Sequence, residues 1–122
     1  MTNTPRHKLL PVDVDNIYCA TDSAYWSFLT ATKEVYVNGD NMVTEFEVED
    51  LEDGKTYTVN ADSLASAVDA ILAGKHVNSR LREQCARDVA DWKAVPKYGV
   101  PFDSELSDCI IQIAALGEVV YG

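Results

Sequence analysis

Residues 42–60 read MVTEFEVEDLEDGKTYTVN, and this stretch decides the fold class. Thr44, Phe46 and Val48 alternate with Val43, Glu45, Glu47 and Glu49. Alternation with a period of two marks a half-buried strand, one face apolar and the other wet. Residues 55–60 are rich in Thr, Tyr and Val, which suit a pleated surface. Leu51, Glu52, Asp53 and Gly54 lie between the two runs, and Asp-Gly tolerates positive φ, so a hairpin is predicted. With Phe46 and Val48 turned inward, Glu45, Glu47 and Glu49 share the outer face. Asp50, Glu52 and Asp53 extend them into an acidic ridge. Charges on an exposed strand also discourage aggregation, which is the plainer reason for them.

Upstream, Asn38, Gly39, Asp40 and Asn41 make a turn by composition, and residues 33–37 are β-like, so the sheet is a meander of at least three strands. Residues 23–32, SAYWSFLTAT, place Tyr25, Phe28, Leu29 and Thr32 on one helical stripe. Their many aromatic and Thr residues suit a strand equally. Residues 16–20 suggest a short first strand. Residues 1–15 read as a loosely ordered lead-in, where Pro5 and Pro11 oppose a helix.

Downstream the period changes. Leu64, Val68, Ile71 and Leu72 fall at helical spacing over residues 62–73, with Gly74 placed to close the helix. A second helix over 79–95 carries the stripe Leu81, Cys85, Val89 and Trp92, with Glu83 and Arg87 spaced to pair outside, and ends before Pro96. A third spans 104–116, with Ile110, Ile113 and Ala114 on one stripe. Strands followed by helices indicate an α+β fold. We expect one domain over residues 1–122, its antiparallel sheet within about 16–60 packed against the three C-terminal helices.

The composition is that of a globular protein: 47% apolar and 25% charged over 122 residues. No apolar run reaches the ~18 residues of a membrane span, nor the core of a signal peptide, so a cytoplasmic location is expected. The three cysteines, Cys19, Cys85 and Cys109, have neither metal-ligand nor redox spacing, and free thiols are expected. The net charge of −10 opposes direct binding to nucleic acid or anionic membrane and favours cationic partners. The charge is uneven: seven acids and no base between Asp40 and Asp53, against six bases and three acids between Lys75 and Lys97.

No phosphate-binding glycine loop, nucleophile elbow, His-Glu metal motif or calcium loop is present, so no catalytic residue, cofactor or metal is expected. The expected function is that of a non-enzymatic interaction protein presenting Glu45, Glu47, Glu49, Asp50, Glu52 and Asp53 to a basic protein surface. Carboxylates spaced along a strand can occupy Lys and Arg sites that otherwise hold phosphates, so the partner could itself bind nucleic acid. The composition is of the kind seen in accessory proteins of phages and mobile elements, and a nucleic-acid mimic that inhibits a host nuclease or defence complex would fit this chemistry. A second reading is a nucleotide-like ligand site or enzyme using Tyr25, Trp26, Arg80 and Arg87. A third is a structural subunit that self-associates, as a homodimer, through Ile110, Ile111, Ile113, Val119, Val120 and Tyr121, whose apolar side chains surround the last helix and tail.

Overall fold

The computed structural model describes residues 7–122. In chain order the elements are α1 (Pro11–Ala20), β1 (Ser27–Val37), β2 (Asp40–Asp50), β3 (Thr56–Asn60), α2 (Ala61–Leu72), α3 (Ser79–Ala94), a 3-10 turn (Pro96–Tyr98) and α4 (Ser104–Leu116). The strands form one antiparallel sheet in the order β1-β2-β3. With three helices following it, the fold is α+β. Among the described residues no helix is long and apolar enough to cross a membrane.

Both turns follow from composition. Asn38 (φ 50°) and Gly39 (φ 87°) join β1 to β2 in a tight two-residue hairpin, the connection whose twist matches that of the strands. At the other end Asp50 and Lys55 close a longer loop: the Lys55 carbonyl accepts from the Asp50 amide at 2.8 Å, and Gly54 takes positive φ. The helices begin where side chains can accept their free amides. Asn60 accepts from Ser63 N at 3.0 Å, Asn78 from Leu81 N at 2.9 Å and Asp103 from Leu106 N at 2.8 Å. Gly117, in the left-handed region, ends α4.

One hydrophobic cluster draws on every helix and strand, centred on Ile17, Phe46, Val59, Val68, Ile71 and Leu106. Helix α4 runs through it, and every residue from 106 to 113 is buried. Ile110, Ile111 and Ile113 are therefore covered by the chain's own elements. Val119 and Tyr121 are half-buried and Val120 is exposed.

Three local expectations are corrected. Residues 16–20 are the end of helix α1, not a strand, and Pro11 starts that helix instead of preventing it. At the first helical position the missing N–H has no partner to lose, and the fixed φ already suits the helix. Asp13 then reaches back to accept from Leu10 N at 2.7 Å, while Val14 and Ile17 bury the inner face. Residues 7–15 are correspondingly ordered: His7 Nδ1 lies 2.6 Å from Asp69 Oδ1, and Leu9 is buried. Residues 1–6 of the expected lead-in lie outside the described residues. Second, residues 23–26 form a turn that leads into β1, so the helical stripe of Tyr25, Phe28, Leu29 and Thr32 does not exist. Third, the alternation on β2 shifts phase. The register runs Ala31–Phe46, Lys33–Glu45, Glu34–Val43, which leaves Thr32 and then Thr44 as extra residues in two compensating bulges. Val43 is buried in place of Thr44, and its amide donates to Asp15 of α1 at 2.9 Å.

Candidate interaction surface

The outer face of the sheet follows from register and alternation. Phe28, Glu49 and Thr56 lie side by side across the three strands, and Thr30, Glu47 and Thr58 form the next row. All six are exposed, and Phe28 keeps 62% of its surface in solvent. Helices α1 and α4 pack on the inner face, through Ile17, Phe46, Val59 and Ile110 among others.

The six acids of the expected ridge divide. Glu47, Glu49, Glu52 and Asp53 are exposed, and among the described residues none has a Lys or Arg within ion-pair distance. Glu45 is largely covered: Lys33 Nζ stands 3.7 Å away, and Thr32 Oγ1 donates to it at 3.4 Å. Asp50 is a correction to the ridge. It continues the inward alternation of Phe46 and Val48 and is only 4% exposed. The Tyr121 hydroxyl donates to its carboxylate at 2.9 Å, and the Glu52 amide donates to Oδ1 at 2.9 Å.

Beside the β2–β3 turn, the Tyr25 region, expected to supply a ligand site, does border a cleft, although most of the cleft's lining comes from α4 and the tail, which that expectation did not include. The cleft's volume is about 430 Å³, and Tyr25, Leu81, Glu105, Asp108 and Val119 line it. A shallower hollow bounded by Tyr25, Trp26, Leu51, Glu52 and Tyr121 connects it with the turn acids. The floor is a polar network on α4. Asp108 Oδ1 accepts the Trp26 indole N–H at 2.8 Å, and Oδ2 accepts the Tyr25 hydroxyl at 2.7 Å and Gln112 Nε2 at 3.2 Å. Gln112 grips the tail: its Oε1 accepts from the amides of Val120 and Tyr121, each at 2.9 Å, and its Nε2 donates to the Tyr121 carbonyl at 2.9 Å. The Tyr121 ring stacks on Trp26, with centroids 5.2 Å apart.

Charge in this region is one-sided. Asp108 is 8% exposed and accepts only neutral donors; like Asp50, it has no base at ion-pair distance among the described residues. Desolvation of the hydroxyl, then the hydrogen bond to Asp108, pushes the Tyr25 phenol well above its ordinary range. Desolvation and Asp50 do the same for Tyr121. Both phenols thus remain donors at any physiological pH. Burial, then neighbouring Asp108, pushes the Cys109 thiol up to about 11, so it is protonated near neutrality.

Of the residues proposed for an anionic ligand, Tyr25 lines the cleft, and Trp26 stands behind it, buried. Arg80 does not line it but is paired at 3.1 Å with Glu105, which does, and Arg87 is an exposed residue that does not line it. Nor does Arg87 form the expected ion pair with Glu83. An anion in the cleft would face Asp108, so its electrostatics suit a cation. Asp108 and Gln112 were legible in principle, because two polar residues at i, i+4 interrupt an otherwise apolar helical face.

Compared with protein-family models, curated proteins and solved structures, the chain matches none.

Proposed function

We propose that this chain is a non-enzymatic interaction protein that binds a basic surface on another protein through the outer face of its sheet. The observation that carries this reading is the exposure of Glu47 and Glu49 on a three-stranded face, with Glu52 and Asp53 at its end and, among the described residues, no Lys or Arg within ion-pair distance. Exposed Phe28 in the same row supplies an apolar anchor of the kind that interfaces favour. Carboxylates held by a rigid sheet keep a fixed spacing. They can therefore occupy Lys and Arg sites that would otherwise hold phosphates, and a nucleic-acid-binding partner, such as a host defence protein met by a mobile element, fits that chemistry. Free cysteines are consistent with a reducing, cytoplasmic setting.

The test reverses Glu47 and Glu49 to Lys together and leaves Glu45 with its Lys33 partner. Exposed pairs contribute about 1 kcal/mol or less, so the fold should survive, as circular dichroism will show. Affinity for a partner isolated on the immobilised wild-type protein should be lost. Wild-type affinity should also fall as salt rises, since screening acts over about 8 Å at physiological ionic strength. A folded double reversal that binds as tightly as wild type would reduce the acidic face to a solvated sheet surface.

A further inference from the structure

We propose that the cleft beside Tyr25 receives an arginine side chain of the basic partner, its stem against Leu81 and Val119 and its guanidinium directed at Asp108. This inference rests on the reading of the sheet face given above and names the contact that would anchor it.

Four observations converge. First, the cleft, about 430 Å³, has apolar walls and an acidic floor, the shape that a side chain with an apolar stem and a charged head fills. Second, the Asp108 carboxyl is buried and, among the described residues, accepts only from the neutral donors Tyr25, Trp26 and Gln112. Buried charges are ordinarily paired, and no base of the described residues serves Asp108. Arg80, which pairs with the lining residue Glu105, is held by that contact. Third, the exposed ring of Tyr25 offers an aromatic face at the mouth, on which a planar guanidinium stacks better than an ammonium. Fourth, the hollow at Leu51 and Glu52 joins the cleft to the acidic turn. A basic segment lying across Glu49 and Glu52 therefore arrives at the cleft without leaving the surface.

The experiment uses the full chain labelled with 15N and two probes, N-acetyl-arginine amide and a hexa-arginine peptide. The Trp26 indole N–H bonds Asp108, so it reports on the floor of the cleft, and the Trp92 indole is the control. The small probe should shift the Trp26 signal saturably and leave that of Trp92 in place. Asp108→Asn keeps an acceptor for Trp26 but removes the charge, and should weaken the small probe by about tenfold or more. If that variant does not fold, Val119→Arg carries the test, because a guanidinium at the cleft wall should abolish the response. Reversing Glu47 and Glu49 should leave the small-probe response intact while weakening the hexapeptide by about tenfold. No saturable Trp26 shift at about 50 mM probe, a concentration that would detect even millimolar affinity, overturns the cleft assignment, as does an equal response in Asp108→Asn. If hexapeptide binding still depends on Glu47 and Glu49, the reading of the sheet face stands without the cleft. Hexapeptide binding indifferent to both reversals sinks that reading instead.

Discussion

Substituting Gly99 by Ala should be among the most damaging single changes in this protein, although it adds one methyl group to a loop. Gly99 has φ 78° and ψ −177°, a combination that glycine alone adopts readily. For another residue such a conformation costs about 1–3 kcal/mol. The added Cβ would also meet Asn16 Nδ2 at 2.4 Å, Val12 Cγ2 at 3.1 Å and the Val12 carbonyl at 3.2 Å. The Asn16 amide must therefore move, and it donates to the carbonyls of Tyr98 at 2.9 Å and Val100 at 3.2 Å. Each lost bond costs about 1 kcal/mol. Together these effects predict a loss of about 3–5 kcal/mol, against a total of about 5–15 kcal/mol for a native domain. Urea denaturation followed by far-UV circular dichroism measures it. Gly54→Ala is the control, since Gly54 also has positive φ (76°) but a Cβ there meets nothing within 4 Å. It should cost about 1–2 kcal/mol, the strain alone. In an Asn16→Ala background the penalty at Gly99 should shrink, because the closest clash is gone. A Gly99→Ala protein within about 1 kcal/mol of wild type, or no worse than Gly54→Ala, would refute the close docking of α1 on this loop.

The remaining predictions follow from burial. Gln112→Leu removes the amide that holds the tail, so hydrogen exchange at Val120 and Tyr121 should accelerate strongly while that of β2 stays slow; unchanged protection would show that the Trp26 stacking and the Tyr121–Asp50 bond secure the tail without Gln112. Burial pushes the Cys85 thiol up to about 12 and the Cys109 thiol up to about 11, against 9.0 ordinarily. Because both are raised in the folded state, their contribution is fully present below pH 9 and is lost as pH rises through the window to 11–12. Stability should fall there by up to about 1.4 kcal/mol per pH unit per thiol, and Cys109→Ala should flatten the decline. Thiol titration should find Cys19 reactive in the native protein and all three thiols after unfolding; fewer than three would indicate a disulfide. His7→Ala should cost about 1–2 kcal/mol through loss of its contact with Asp69. No change would mean that the His7–Asp69 contact adds nothing to the fold.

What could be read from sequence was what local chemistry determines. The Asn-Gly and Asp-Gly turns and the three C-terminal helices each rest on contacts within a few residues. Where distant partners decide, the reading failed. Pro11 is ambiguous until Asp13 and the packing of Val14 and Ile17 fix a helix around it. Residues 23–32 carry both periods, and only pairing with β2 selects the strand. A pair of compensating bulges leaves no trace in composition, so the burial of Val43 in place of Thr44 was invisible. The ridge was found as a line of acids, but its division was not. The sequence shows Asp50 as one more carboxylate in a charged run, and only the return of Tyr121 from 71 residues away explains why it lies inside. The cleft joins a turn, a helix and the tail, and no stretch of sequence contains it.

Asp13, Asp50 and Asp108 are all buried, each accepts from neutral donors, and none meets a base among the described residues. The chain carries a net charge of −10, and folding packs its carboxylates closer than they stand in the unfolded chain, so the native state repels itself more than the unfolded chain does. Sodium chloride should therefore stabilise the free protein, raising its urea midpoint as the ionic strength climbs from about 0.02 to 0.5 M and the Debye length shrinks. A bound cationic partner supplies the same relief by direct contact and is itself displaced by salt. Folding and recognition would then respond to one variable with opposite slopes. The ion that weakens the complex protects the protein released from it, so dissociation in high salt should leave a sturdier free protein than dissociation by dilution at low salt.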